Sequence, residues 1–224
     1  MKIENWKEKA YLLEIIGLII YTGLVVLAMI FYTGGTATNP NYPGYNFWGN
    51  TISDSGRSVA YSGQKNTVSM ILLSSSLIFI AIVNVPFFLA LRHLFLEDKL
   101  QKYLSLIGTI FGIIASLSLI GIAFTPADIL IEGHMLFVYI RYSCVVFMGV
   151  FYSLAMYMNK EFPRRYTLIF IIFTIIFFIL SIMGLVGIAF SRTLTVFAQK
   201  LGWFATTISF LAISYAGLNL EKSK

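Results

Sequence analysis

Two stretches of this 224-residue chain hold most of the side chains able to do chemistry. The first is Asn50-Thr51-Ile52-Ser53-Asp54-Ser55-Gly56-Arg57, and the second is Thr125-Pro126-Ala127-Asp128-Ile129-Leu130-Ile131-Glu132-Gly133-His134. Arg141 follows His134 by seven residues, or two helical turns. On a helix the two therefore share a face, with Arg141 roughly 10 Å further along the axis. Tyr139 and Tyr142 add hydroxyls beside it.

Four chemistries are open to these residues. A structural reading uses Ser53, Asp54 and Asp128 in turns and caps and pairs Arg141 with a carboxylate. A binding reading places Arg141 on the phosphate of a lipid or other amphiphile, with His134, Asp54, Asp128 and Tyr142 around the headgroup. A catalytic reading takes His134 as general base, Asp128 or Asp54 to orient it, and Ser53 or water as nucleophile, for a lipid hydrolase or transferase. Asp54, Asp128 and His134 are also the residue types of a metal site, but their spacing is no ligand motif, and no metal or other cofactor is expected. A transport path is the fourth, without a charged pore ring or inverted repeat to support it.

The elements that must position these groups are hydrophobic. Of all residues 58% are apolar and only 12% charged, against roughly 25% charged in soluble domains. Six apolar runs each approach the roughly 20 residues that cross a bilayer as helix: 12–32, 68–91, 103–125, 134–158, 166–190 and 201–220. None shows the period-2 alternation of barrel strands, which predicts an all-α, six-helix transmembrane bundle forming one domain over 1–224. The first run exceeds a signal-peptide core of about 7–15 residues and reads as a retained helix.

With both termini on one side, that side carries Lys2, Lys7, Lys9, Arg92, Lys99, Lys102, Lys160, Arg164, Arg165, Lys222 and Lys224. The other carries Arg57, Lys65, Arg192 and Lys200. This bias predicts cytoplasmic termini in the cell membrane, with 33–66, 126–133 and 191–200 outside. Segment 33–66 is turn-rich, and Tyr42, Tyr45, Phe47 and Trp48 suit a headgroup-level belt, so it is expected to fold down over the helix ends. A charge of +6 scattered singly around apolar runs gives no nucleic-acid stripe. Cys144 is the only cysteine, which excludes an internal disulfide. Gly108 and Gly112 form a small-xxx-small pattern for helix approach.

Three places in the chain resemble the six-span membrane family known as domain of unknown function 998. Pro43-Gly44 followed by Ile52-Ser53-Asp54-Ser55-Gly56 is similar to its outer-loop Pro-Gly and Ile-Ser-x-x-Gly pattern. Asn66 falls where its members start a helix, although Thr67 stands where a Pro is common. Gly121 through Asp128, with His134 six residues on, is similar to its Gly-x-x-Pro-x-Asp…His segment. That family looks distantly similar to eukaryotic six-span proteins of GPI-anchor remodelling and autophagy modulation. The resemblance implies the six-span fold and an outer cluster of Asp54, Asp128 and His134, and supplies no reaction.

The expected protein is thus a membrane bundle whose outer polar site engages a lipid or amphiphile headgroup. Its expected partners are membrane lipids and other membrane proteins. The rival class is a non-catalytic subunit or scaffold, with a dry ion pair at Arg141 in place of a pocket.

Overall fold

A computed structural model describes residues 5–223 of the chain. Six helices follow in order: α1 Trp6–Ile30, α2 Thr67–Arg92, α3 Lys99–Phe124, α4 Ile131–Met158, α5 Arg164–Phe190 and α6 Arg192–Lys222. Each is long and apolar enough to cross a membrane. A helix satisfies its backbone polar groups internally, so uninterrupted apolar sequence of this length is stable without water. Among the described residues no strand forms, and the only β pairing is an isolated bridge between Val59 and Lys65.

Each helix packs on its chain neighbours, and α6 returns to α1, so the six close into a ring. Lys7 on α1 and Glu221 on α6 pair at 3.0 Å, which puts both chain ends at one end of the bundle. Lys2 and Lys224 lie outside the described residues. Large apolar side chains such as Ile19, Ile82, Leu168 and Phe190 stand on the outer surface of the ring. A surface this apolar is suited to lipid tails and not to water.

The ring interior differs between its two halves. Near the termini it is filled by aromatic rings: Phe87 and Phe88 of α2 contact Phe210 of α6, and Phe173 of α5 reaches the same ring. Gly108 and Gly112 serve this plug by admitting rings at their Cα atoms. A Cβ there would lie 2.8 Å from Tyr152 and 2.6 Å from Phe88, respectively. Glu14 of α1 is wholly buried beside α2, where the Asn84 amide donates to its carboxyl group at 3.0 Å. Toward the other end the ring is hollow.

Over that hollow end lies the connection from α1 to α2. It is closed by buried amides: Asn66 Nδ2 donates to the carbonyls of Ser55 at 3.0 Å and Arg57 at 2.9 Å. Asn50 Nδ2 donates to the Gly35 carbonyl at 3.1 Å, while its Oδ1 accepts from Asn46 N at 2.9 Å. Gly35 sits at φ 84°, and a Cβ there would lie 2.4 Å from Ser62 N, so no other residue fits. The connection is folded down on the bundle by its own side chains.

The largest departure from the sequence reading is at α6. Residues 191–200 were expected as a loop because the apolar run begins at Leu201. Instead α6 begins at Arg192, and Ser191 alone separates it from α5. Hydropathy missed these turns because Arg192, Gln199 and Lys200 face the α1–α2 connection, where polar partners await them, and not lipid. Lys200 is fully buried, donating to the Tyr45 hydroxyl and lying over the Tyr45 and Phe47 rings.

So tight a reversal brings α5 and α6 into backbone contact at Gly187, where a Cβ would lie 2.5 Å from Thr195 N. Gly187→Ala should therefore lower stability by about 1–3 kcal/mol, as overpacking does. Gly23→Ala, with nothing within 4 Å, is the matched control and should be neutral. Thermal unfolding of both variants in one detergent measures the difference.

Candidate functional site

Ser53 and Asp54 lie in a 3₁₀ turn, Ile52–Gly56, at the hollow end. The turn starts with a reciprocal cap: Asp54 N donates to Thr51 Oγ1 at 3.2 Å, and Thr51 N donates to Asp54 Oδ2 at 2.8 Å. The Asp54 carboxylate, 4% exposed, also accepts from Asn50 Nδ2 at 3.3 Å and pairs with Arg192 at 2.5 Å. Arg192 and Arg57 both lie over the Tyr61 ring, at 5.2 and 4.2 Å. Asp54 is thus neither an orienter of His134 nor a counter-ion of Arg141.

Asp128 is likewise committed elsewhere. Its carboxylate accepts from Ser58 Oγ at 2.6 Å, from Ser58 N at 3.0 and 3.1 Å, and from Val59 N at 2.9 Å. This one side chain ties the α3–α4 connection to the α1–α2 connection. Burial alone would raise its pKa, but the Ser58 hydroxyl and the Val59 and Ser58 N–H groups outweigh that and hold it below the ordinary carboxylate value. Glu132 and Tyr139 are exposed on the outside of the bundle. Asp54, Asp128 and His134 form no ligand set: among the described residues no group of three His, Cys, Asp or Glu can hold a metal ion.

His134 is buried in the first turn of α4. Its Nδ1 is 2.7 Å from the Thr125 carbonyl, and its Nε2 is 3.3 Å from Ser53 Oγ. The Thr125 oxygen can only accept, so the proton sits on Nδ1 and Nε2 offers a lone pair to the Ser53 hydroxyl. Gln199 of α6 donates from Nε2 to the same Ser53 oxygen at 3.3 Å, and its own Oε1 accepts from Ile52 N. Ser53 and His134 therefore meet as the catalytic reading expected, with a backbone carbonyl in the orienting place given to an aspartate.

Two cavities share lining residues at this point. An outer one of about 420 Å³ lies among α4, α5, α6 and the 3₁₀ turn, lined by Asp54, Arg57, Arg192 and His134 and by apolar Ile131, Leu185, Ile188 and Phe190. An inner one of about 110 Å³ runs down inside the ring to Phe88 and Phe210. Ser53, Val138, Tyr142 and Gln199 line both. Arg141 lines the inner one, with Tyr21, Asn84, Trp203 and Thr206 around it.

The Arg141 guanidinium has no carboxylate partner. Its hydrogen bond is to the Ala115 carbonyl at 3.5 Å, and the two ion pairs among the described residues are Lys7–Glu221 and Arg192–Asp54. The Trp203 indole N–H is buried without a hydrogen-bond partner. Sequence reasoning missed Arg192 and Gln199. The available signal was their spacing: seven residues apart, they share a helix face.

Because the folded pKa of Asp128 lies below the unfolded one, its contribution is fully present above the unfolded value of about 3.9. It is lost as pH falls through the folded value. Acidification into that range should release residues 57–60 to amide exchange, and Asp128→Asn should show the released pattern already at pH 7. Hydrogen exchange across the α1–α2 connection reads both. No family model, curated protein or solved structure matches this chain.

Proposed function

We propose that the protein is a multi-pass protein of the cell membrane whose hollow end receives the anionic headgroup of a lipid or other amphiphile at Arg141. The observation that carries this reading is the guanidinium itself, which lines an internal cavity without a carboxylate beside it. A charge in the membrane interior costs at least about 2.5–3.5 kcal/mol on insertion scales and is kept where it meets an anion or water. The cavity supplies the hydroxyls of Tyr21 and Tyr142 beside the cation, groups that hydrogen-bond phosphate or carboxylate oxygens. Its apolar remainder, among it Leu77, Ile80 and Leu119, suits the non-polar part of the same molecule. The scaffold reading needs a dry ion pair at Arg141, and no such pair supports it.

The eleven Lys and Arg on the side of the termini against four on the other support cytoplasmic termini. The hollow end then faces outward, as in the six-span family the sequence resembles. A cysteine introduced at exposed Gln64 should react with a membrane-impermeant maleimide on intact cells, whereas buried Cys144 should not. Reaction only after lysis would reverse the orientation.

Arg141→Leu is the direct test of the site. The variant should lose anionic amphiphile that copurifies with wild type. It should also lose the thermal stabilisation that added anionic lipid gives, about 2.7 kcal/mol at a hundredfold excess over Kd. In lipid-free detergent it should be as stable as wild type or more so, since an uncompensated buried charge has been removed. Equal anionic lipid content and equal stabilisation in both proteins would remove the proposal.

A further inference from the structure

We propose that Ser53 is a nucleophile and His134 its general base, and that the protein cleaves an acyl ester of the amphiphile whose headgroup occupies the Arg141 cavity. The inference rests on the headgroup reading and adds a reaction to it. Three observations carry it.

The first is the hydrogen-bond chain. The Thr125 carbonyl fixes the proton on His134 Nδ1 at 2.7 Å, which leaves the Nε2 lone pair 3.3 Å from Ser53 Oγ. That is the relation a serine nucleophile needs with its base, at a distance that tightens when substrate binds. The second is Gln199, whose amide N–H group reaches the same oxygen at 3.3 Å while its carbonyl end is held by Ile52 N. A fixed amide donor beside the attacked carbon is the kind of group that stabilises an oxyanion.

The third is placement. Ser53 is only partly buried and lines both cavities, so it stands where a molecule spanning them would cross. With an anionic headgroup at Arg141, about two helical turns from His134, the ester of a glycerol-like linkage reaches the junction. Its acyl chain then lies along Ile131, Leu185, Ile188 and Phe190, which line the outer cavity and are exposed on the lipid-facing surface. The headgroup enters the bundle while the chain stays in the bilayer.

In the reaction the Ser53 Oγ–carbon bond forms as the hydroxyl proton passes to His134 Nε2 and the carbonyl electron pair moves onto oxygen. Collapse breaks the ester C–O bond, and the departing alcohol takes the proton from Nε2. Water, deprotonated in turn by His134, attacks the acyl carbon; the bond from that carbon to Ser53 Oγ breaks, His134 Nε2 returns the proton to Oγ, and the carboxylic acid leaves. One ester and one water give one acid and one alcohol, with no redox change.

The test uses the full-length protein in mild detergent with an alkyl fluorophosphonate carrying a reporter. In the labelling step a Ser53 Oγ–phosphorus bond forms, phosphorus–fluorine breaks, and His134 takes the proton. Mass mapping should find the label on Ser53, and Ser53→Ala should abolish it. His134→Gln should slow labelling about a hundredfold or more, the range general-base catalysis supplies. As His134→Gln can disturb folding, the wild-type labelling rate is also measured against pH, and it should rise as one group with an imidazole-like pKa loses its proton. An unlabelled Ser53, or a labelling rate indifferent to both His134→Gln and pH, overturns the inference. Ser53→Ala should retain copurified anionic lipid, so a protein that keeps its lipid but never labels refutes the reaction alone. One that loses lipid with Arg141→Leu yet labels normally keeps the nucleophile and refutes the chosen substrate.

Discussion

A carboxylate buried to 4% exposure at the mouth of an apolar ring has to be neutralised by the protein itself. Asp54 achieves this with a guanidinium from the far end of the chain, Arg192, and with the Thr51 N–H and Asn50 amide from its own connection. The pair belongs to no helix–helix contact. It fastens a 3₁₀ turn to the first residue of α6, and everything at the hollow end takes its position from that attachment. With the turn fixed, Ser53 Oγ is presented to α4 on one side and to Gln199 on the other. Asp128 adds a second fastening at Ser58 and Val59, so the connection is held from two directions.

These fastenings explain why the two predicted carboxylates and the predicted arginine do not meet. Asp54 is held by Thr51, Asn50 and Arg192, and Asp128 by Ser58 and Val59, and neither carboxylate pairs with Arg141. Asp54 and Asp128 are occupied with holding the lid of the bundle. That leaves Arg141 facing space, and leaves His134 to be oriented by a carbonyl that cannot change its protonation state. A backbone orienter fixes the imidazole tautomer without placing a second charge in a membrane-level site.

The six helices were legible because a bilayer-length apolar run has few alternatives to helix, and five of the six starts fall within six residues of the run boundaries. The turn-rich connection and its Asp, Asn and Ser content were legible as local chemistry too. The first turns of α6 were not. Arg192, Gln199 and Lys200 look like loop residues to any measure that assumes a helix at this depth faces lipid, and they are helical because another part of the chain covers them. The Ser53–His134 contact was legible as a pairing of types. Its third member was not, since a backbone carbonyl leaves no trace in residue identity. The filling of one half of the ring by Phe87, Phe88, Phe173 and Phe210 and the emptiness of the other depend on side-chain volumes meeting across three helices. Periodicity within a single helix does not report them.

The span between Asp54 and Arg192 is 138 residues, and it has a consequence for biosynthesis. At roughly 5–20 residues per second a ribosome needs on the order of 7 to 28 s to make that stretch. Throughout that interval the acidic turn has already emerged and its counter-cation does not yet exist. The nascent connection must therefore stay hydrated at the membrane surface while α2 to α5 insert, and it can settle into the ring only when α6 arrives. Assembly of the hollow end waits for α6, and a chain stopped short of α6 would display that turn open to water and to quality-control proteases.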